Sequence, residues 1–176
     1  MSQARQVLSD DHHAVSEVLN QLLTALDNKD VQTSYAKLDL LWARLAVHIR
    51  AEHLHLFPAV TNRLAESNEA LAMVEVLRTD HDFFMRELAQ AIDTLRELRH
   101  RVLVASDETK LNALADAVRE IERRLATHNE LEEKQIYLWS STILTEPEQL
   151  ELRARINAEL ENRPPRFSAE AWANRL

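Results

Sequence analysis

A chain of 176 residues with no glycine and only four prolines has few places where it can turn sharply. Ala, Leu, Glu, Gln and Arg make up much of it, and these residues lose least entropy in a helix. The expected fold is all-α. Apolar side chains recur with helical spacing in four long stretches, which suffices for an up-down-up-down four-helix bundle. The length suits one domain with a substantial core.

Breakers and caps set the expected ends. The first stretch carries Val15, Leu19, Leu22 and Leu26 and stops at Asp27-Asn28-Lys29-Asp30, where Asn28 can take the left-handed position that glycine would otherwise fill. It begins either at Ser9 or already at Gln3. The second runs from Val31 to Leu64, with Pro58 expected to kink it near its end. The third follows Ser67-Asn68 and extends to Val102. The fourth opens at Ser106-Asp107 and carries Leu111, Leu114, Val118, Ile121 and Leu125. Thr145-Glu-Pro-Glu148 reads as a capping box that starts a short helix through Leu160, and Arg163-Pro-Pro-Arg166 ends it. Residues 1–145 are thus expected to form the bundle, and residues 146–176 a helix and tail packed on it, the stretch from Phe167 to Leu176 with Trp172 being a turn of helix or a strap, or else a partner-binding segment.

Several function classes are excluded early. The sequence has no cysteine, so thiolate metal sites, cysteine-ligated clusters and thiol nucleophiles are ruled out. Any metal must sit on histidine and carboxylate. A formal net charge of −8 argues against nucleic acid as a partner. No apolar run approaches the roughly 20 residues that span a bilayer, and the first residues lack a signal pattern. The expectation is a cytoplasmic protein that does not enter the membrane. Neither an oligomeric state nor a protein partner is encoded in a recognisable motif.

The decisive feature is an internal repeat. Arg44-Leu-Ala-Val-His48 with Glu52 is echoed by Arg124-Leu-Ala-Thr-His128 with Glu132, followed by Leu56-Phe57 in one copy and Ile136-Tyr137 in the other. A histidine and a glutamate four apart lie on one helix face, so each copy offers a nitrogen and a carboxylate to the same interior point. His12 and His81, each preceded by an aspartate, head apolar stripes of the first and third stretches. In an up-down bundle all four histidines reach one level, and Glu52 and Glu132 are displaced from it by one turn in the same direction. Carboxylates so placed can bridge two metals about 3.5 Å apart. Burying this set without a cation would cost many kcal/mol, which a pair of cations would offset. The expected ligands are His12, His48, Glu52, His81, His128 and Glu132.

Other residues receive plainer readings. His55, seven after His48 and near its face, is an additional candidate for a fifth ligand, a proton shuttle or a pocket wall. His13 and Glu17 repeat the spacing of the motif but on a polar face, as a solvated pair. His53 and His100 are expected to be exposed, Tyr137 and Trp42 to be core residues, and Asp11 and Asp80 to support the site or simply to favour a helix start.

The ordered set His12, His48-xxx-Glu52, His81, His128-xxx-Glu132, with Leu56-Phe57-Pro58 after the first glutamate, resembles the hemerythrin, or HHE cation-binding, family over about residues 5–140. The resemblance implies two iron ions, Fe2+ or Fe3+, bridged by an oxo or hydroxo group and by Glu52 and Glu132. The sequence departs from the oxygen carriers of that family, because Met85 stands four after His81 where they have a further histidine. It is closer to bacterial hemerythrin-like proteins linked to nitric oxide, oxidative stress or iron–sulfur repair. A protein that binds or senses dioxygen, nitric oxide or peroxide is the leading expectation. A di-iron oxidase or peroxidase, and a non-enzymatic metal-binding helical adaptor, are the competing ones.

Overall fold

A computed structural model describes residues 3–100, 102–168 and 172, with the backbone alone for 3–5. No strand occurs among the described residues. The helices are α1 (Gln3–Asp27), α2 (Val31–Ala51), α3 (Phe57–Arg63), α4 (Asn68–Leu98), α5 (Ala105–Leu131), α6 (Tyr137–Ile143) and α7 (Glu146–Leu160). Helix α1 packs on α2 and α5, and α4 packs on the same two, which closes a ring of four with sequence neighbours side by side. This is the expected up-down-up-down bundle.

The helix ends follow local chemistry. Helix α1 starts at the earlier of its two candidate positions. The left-handed residue after it is Lys29 (φ 57°), one position later than expected, and Asp30 then caps α2, accepting from the Thr33 amide at 3.0 Å. Ser67 caps α4 through the Ala70 amide at 3.2 Å. Helix α4 ends at Leu98 rather than Val102, and Val102 is 89% exposed. Helix α5 begins one residue before the expected pair, with Asp107 accepting from the Val104 amide at 3.1 Å. The box at the start of α7 forms as read, the Glu148 carboxylate accepting from the Thr145 amide at 2.8 Å.

The expected kink at Pro58 is instead a widened turn. Residues Glu52–Leu56 form a single π-helical turn between α2 and α3, closed by a hydrogen bond from the Phe57 amide to the Glu52 carbonyl. Glu132–Ile136 do the same between α5 and α6, where Tyr137 donates to the Glu132 carbonyl. The second copy has Leu138 where the first has Pro58, so the proline is not the cause. Each π turn inserts one residue into the helix, and every side chain beyond it is rotated by about 100° relative to an unbroken α-helix.

The core falls into two parts. One apolar cluster, including Leu19, Leu22, Leu41, Phe84, Leu95 and Val118, fills the bundle toward the α1–α2 turn. The other lies at the opposite end and joins Leu8, Leu56, Phe57, Leu77 and Tyr137 to Leu152, Ile156 and Leu160 of α7. Trp172 packs on this second cluster, its indole N–H donating to the Leu160 carbonyl at 2.9 Å. The remainder of the tail, 169–171 and 173–176, lies outside the described residues. No helix is long and apolar enough to cross a membrane among the described residues.

Candidate metal centre

Six polar side chains lie at the junction of the two apolar clusters. His12 comes from α1, His48 from α2, His81 from α4 and His128 from α5, while Glu52 and Glu132 open the two π turns. None is more than 5% exposed. The histidines meet in pairs: His12 Nε2 is 3.2 Å from His48 Nε2, and His81 Nε2 is 2.9 Å from His128 Nε2.

The carboxylates stand between the pairs and divide their oxygens. Glu52 Oε1 is 3.4 Å from His48 Nε2, and Glu52 Oε2 is 3.4 Å from His81 Nε2. Glu132 Oε2 is 3.3 Å from His12 Nε2, and Glu132 Oε1 is 3.1 Å from His128 Nε2. Ligand atoms of His12, His48, Glu52 and Glu132 fall within 4.8 Å of one another, and those of His81, His128 and Glu132 do so as well.

The outer ring nitrogens are held from behind. His48 Nδ1 faces Asp11 Oδ2 at 3.0 Å and His128 Nδ1 faces Asp80 Oδ2 at 3.2 Å. His12 Nδ1 faces Glu133 Oε1 at 3.1 Å. His81 Nδ1 faces His53 Nε2 at 2.9 Å. With Nδ1–H donating outward in every ring, each Nε2 lone pair points at the centre, which is the tautomer a metal requires. The arginines of the repeat fix the aspartates in turn: Arg44 Nη2 donates to Asp11 Oδ1 and Arg124 Nε to Asp80 Oδ1, both at 2.8 Å. Each aspartate thus serves the histidine of the neighbouring helix, not the one beside it in sequence.

Burial opposes the charge of Asp11, but the hydrogen bond from His48 and the charges of His48 and Arg44 outweigh it and hold the carboxyl at about 2. Burial also opposes charge on His12, His48 and His128; the carboxylates Glu132 and Glu133, Glu52 and Asp11, and Glu132 respectively more than offset it and raise all three. Burial drives His81 down to about 2 against the pull of Glu132. Glu52 is raised by burial and by the charge of Glu132, whereas Glu132, despite its burial, is pulled well below the usual range by His128 and His12. A metal-free centre therefore holds protons that a cation displaces.

Two buried atoms test whether a cation fits. Among the described residues no well-directed hydrogen bond reaches Glu52 Oε2 or Glu132 Oε1, whose polar neighbours on the His81–His128 side are the ring nitrogens His81 Nε2 at 3.4 Å and His128 Nε2 at 3.1 Å. An orphaned buried oxygen costs about 1–3 kcal/mol, and more when charged, and a cation between the histidines and these oxygens removes that cost. The donor set of imidazole nitrogens and carboxylate oxygens suits iron, manganese or zinc.

The model of the hemerythrin HHE cation binding domain matches residues 3–139. The chain belongs to this family. No curated protein and no solved structure matches it. The matched span of the hemerythrin domain holds all six clustered side chains and both π turns, and it ends before α7.

The additional candidate, His55, is not part of the hemerythrin-domain cluster. The π turn begins at Glu52, so the position seven after His48 is turned away and Leu56 takes the inward face. His55 instead lies near Glu159 of α7, 4.0 Å from its carboxylate, on the wall of a surface pocket with Leu54 and Leu152. His13 is exposed and bonds the Ser9 carbonyl at 2.7 Å, and His100 is exposed beyond α4. Trp42 packs at the edge of the first apolar cluster. His53, expected on the surface, is half-buried behind His81, and burial together with Arg78 lowers its pKa.

Tyr137, expected as core packing, is fully buried and reaches the centre. Its hydroxyl is 3.0 Å from His12 Nε2 and donates to Glu52 Oε1 at 3.0 Å. Burial and the two carboxylates push its pKa well up, so the phenol stays a neutral donor. The signal for Tyr137, His53 and Glu133 was in the repeat: one residue after each glutamate braces a histidine of another helix, and the residue five after it, brought inward by the π turn, covers one.

Proposed function

We propose that this chain binds a pair of iron ions and uses them to bind or sense a small ligand, dioxygen, nitric oxide or peroxide. The observation that carries the reading is the division of the carboxylate oxygens, each glutamate offering one oxygen to each histidine pair. A single cation would need only one of these half-sites. His12 and His48 would hold one ion and His81 and His128 the other, with Glu52 and Glu132 shared. Bound iron would supply an open coordination position and a change of oxidation state. The chain's part is to fix the imidazole tautomers through Asp11, Asp80, Glu133 and His53, to keep Glu52 oriented through Tyr137, and to exclude water with the apolar layers on either side. On the apolar side of the rings, Val15, Leu45 and Leu125 pack close against the four histidines.

Histidine-rich ligation leaves less negative charge on iron than carboxylate-rich ligation, which favours reversible binding over strong oxidation. A ferritin-like oxidase would need ExxH on two helices, and the two such matches here place His55 beside Glu159 and His100 in solvent. Metal analysis of protein purified with iron tests the reading: about two irons per chain is expected, with a visible spectrum of the reduced anaerobic protein that changes on adding dioxygen or nitric oxide. One zinc per chain, or iron whose spectrum ignores both gases, would overturn it. A steady-state peroxide assay separates binding from peroxidase turnover.

A further inference from the structure

The arginines that open the two copies of the repeat share a first task and then part. Arg44 Nη2 donates to Asp11 and Arg124 Nε to Asp80, both at 2.8 Å. Beyond that, Arg124 lies over the Phe83 ring at 4.0 Å and is 36% exposed. Arg44 is 4% exposed, and the segment after α7 returns across it. Its Nη1 donates to the Trp172 carbonyl at 2.7 Å, and its guanidinium faces the indole ring at 5.6 Å. Trp172 lies outside the span matched by the hemerythrin domain.

A continuous line of contacts therefore joins this C-terminal strap to a histidine of the centre. His48 Nδ1 meets Asp11 Oδ2 at 3.0 Å, Asp11 Oδ1 takes one prong of Arg44, and the other prong takes the Trp172 carbonyl. A guanidinium is a rigid planar fork, so its prongs cannot move independently. The Arg44 Nε has no hydrogen-bond partner among the described residues, which leaves those two contacts to set its orientation. In front, His48 Nε2 stands 3.2 Å from His12 Nε2 and 3.4 Å from Glu52 Oε1. A cation there pins the ring, and the pinned ring fixes Asp11 and the fork behind it.

The strap's other holds are light. Arg166 pairs with Asp39 of α2 at 2.9 Å and 3.0 Å on the surface, a kind of contact that contributes little. Phe167 meets the Trp172 ring at 5.9 Å, and the indole donates to the Leu160 carbonyl. A short segment with few buried contacts opens at a lower free energy than the helices, so a change at Arg44 moves its docking equilibrium.

We propose that the C-terminal strap reads the occupancy of the metal centre: a cation on His48 tightens the docking of Trp172 through Asp11 and Arg44, and its removal loosens it. This rests on the metal-binding reading and deepens it with a regulated segment, needing a cation at His48 but not a second one. Linkage makes the effect reciprocal; protein loaded with excess iron is filled either way.

Trypsin tests it, because it cuts after Arg166 but not after Arg163, which Pro164 follows. At low trypsin the rate of cutting follows the open population. The iron-loaded protein is expected to be cut after Arg166 about fivefold more slowly than chelator-stripped protein, the lower end of typical coupling. A cut after Arg99, at the far end of the bundle, reports general loosening. Equal cutting of the two forms after Arg166, or the same change after Arg99, would overturn the proposal. Arg44→Lys, which replaces the fork with a single ammonium, is expected to lose the dependence on iron, and Arg124→Lys to keep it; the reverse in either variant overturns the coupling. If Arg44→Lys fails to fold or to load, the two wild-type cuts decide. A wild type that holds no metal after purification with iron removes the metal-binding reading itself, a result read from metal analysis before trypsin is added.

Discussion

Asp11→Asn and Asp80→Asn make the same chemical change at two places of different burial, and the difference between them is predictable. Asp11 accepts from Arg44 and His48 with both oxygens, and its side chain and that of Arg44 are only 7% and 4% exposed. The carboxyl falls from 3.8 to about 2 in the folded chain, which corresponds to about 2 kcal/mol of stability. Asparagine offers one acceptor oxygen where two donors converge, so either Arg44 or His48 loses its partner. Leaving the buried guanidinium short of its counter-charge pushes the cost toward the 3–5 kcal/mol typical of breaking a buried pair. A loss of about 2–4 kcal/mol is expected for Asp11→Asn in the metal-free protein. Asp80 and Arg124 are 17% and 36% exposed, and Arg124 also lies over the Phe83 ring at 4.0 Å. Water replaces much of what Asp80→Asn removes, and about 1 kcal/mol or less is expected.

Urea unfolding of the two metal-free variants at neutral pH measures the contrast. The folded-state pKa of Asp11 is depressed, so its contribution is complete above about pH 4 and is lost as the pH falls toward 2. The gap between Asp11→Asn and the wild type should close over that window. Equal losses in the two variants, or a gap that persists at pH 2, would refute the reasoning that burial and charge pairing set the cost.

Glu52→Gln removes one of two buried, mutually repelling carboxylates, the one raised by burial and by Glu132. The metal-free variant is expected to gain about 1 kcal/mol in urea unfolding while failing to retain two irons. His53→Ala takes away the acceptor behind His81; metal competition should register about a tenfold loss of affinity for metal held by His81, with the thermal midpoint of the metal-free protein almost unmoved. Trp172→Ala removes a half-buried ring and its bond to the Leu160 carbonyl, for a loss of about 2 kcal/mol by thermal denaturation. Its iron content should be unchanged, because Arg44 still reaches Asp11.

The bundle and the six clustered side chains were legible for a simple reason. Helical spacing and chain length alone decide which side chains reach the same level in an up-down bundle, and His12, His48, His81 and His128 obey that arithmetic. What lay beyond Glu52 and Glu132 was not legible, because a periodicity of 3.6 was carried through two π turns that no residue type announces. Pro58 drew attention to the right place for the wrong reason. Unbroken spacing puts His55 near the inward face, makes Tyr137 a packing residue and leaves His53 on the surface. The long-range partners were hidden for a different cause: Asp11 and Asp80 brace histidines on adjacent helices, and sequence spacing does not report which helix lies alongside.

The position of the π turns also explains why an extra residue is worth its cost in helix geometry. An unbroken α-helix would turn the residues seven after each histidine, His55 and Gln135, toward the inward face. Widening the turn by one residue lets the backbone carry Phe57 and Tyr137 over the rings of His81 and His12 while Leu56 and Ile136 still pack in the core. Both glutamates keep their place at the head of the turn, each with its carbonyl accepting the amide five residues on. The backbone irregularity is shared by the two copies, and the chemical difference between them is confined to the side chain it delivers. A repeat can thus keep the histidine and glutamate cradle in both copies and still differ between them by a single phenolic oxygen.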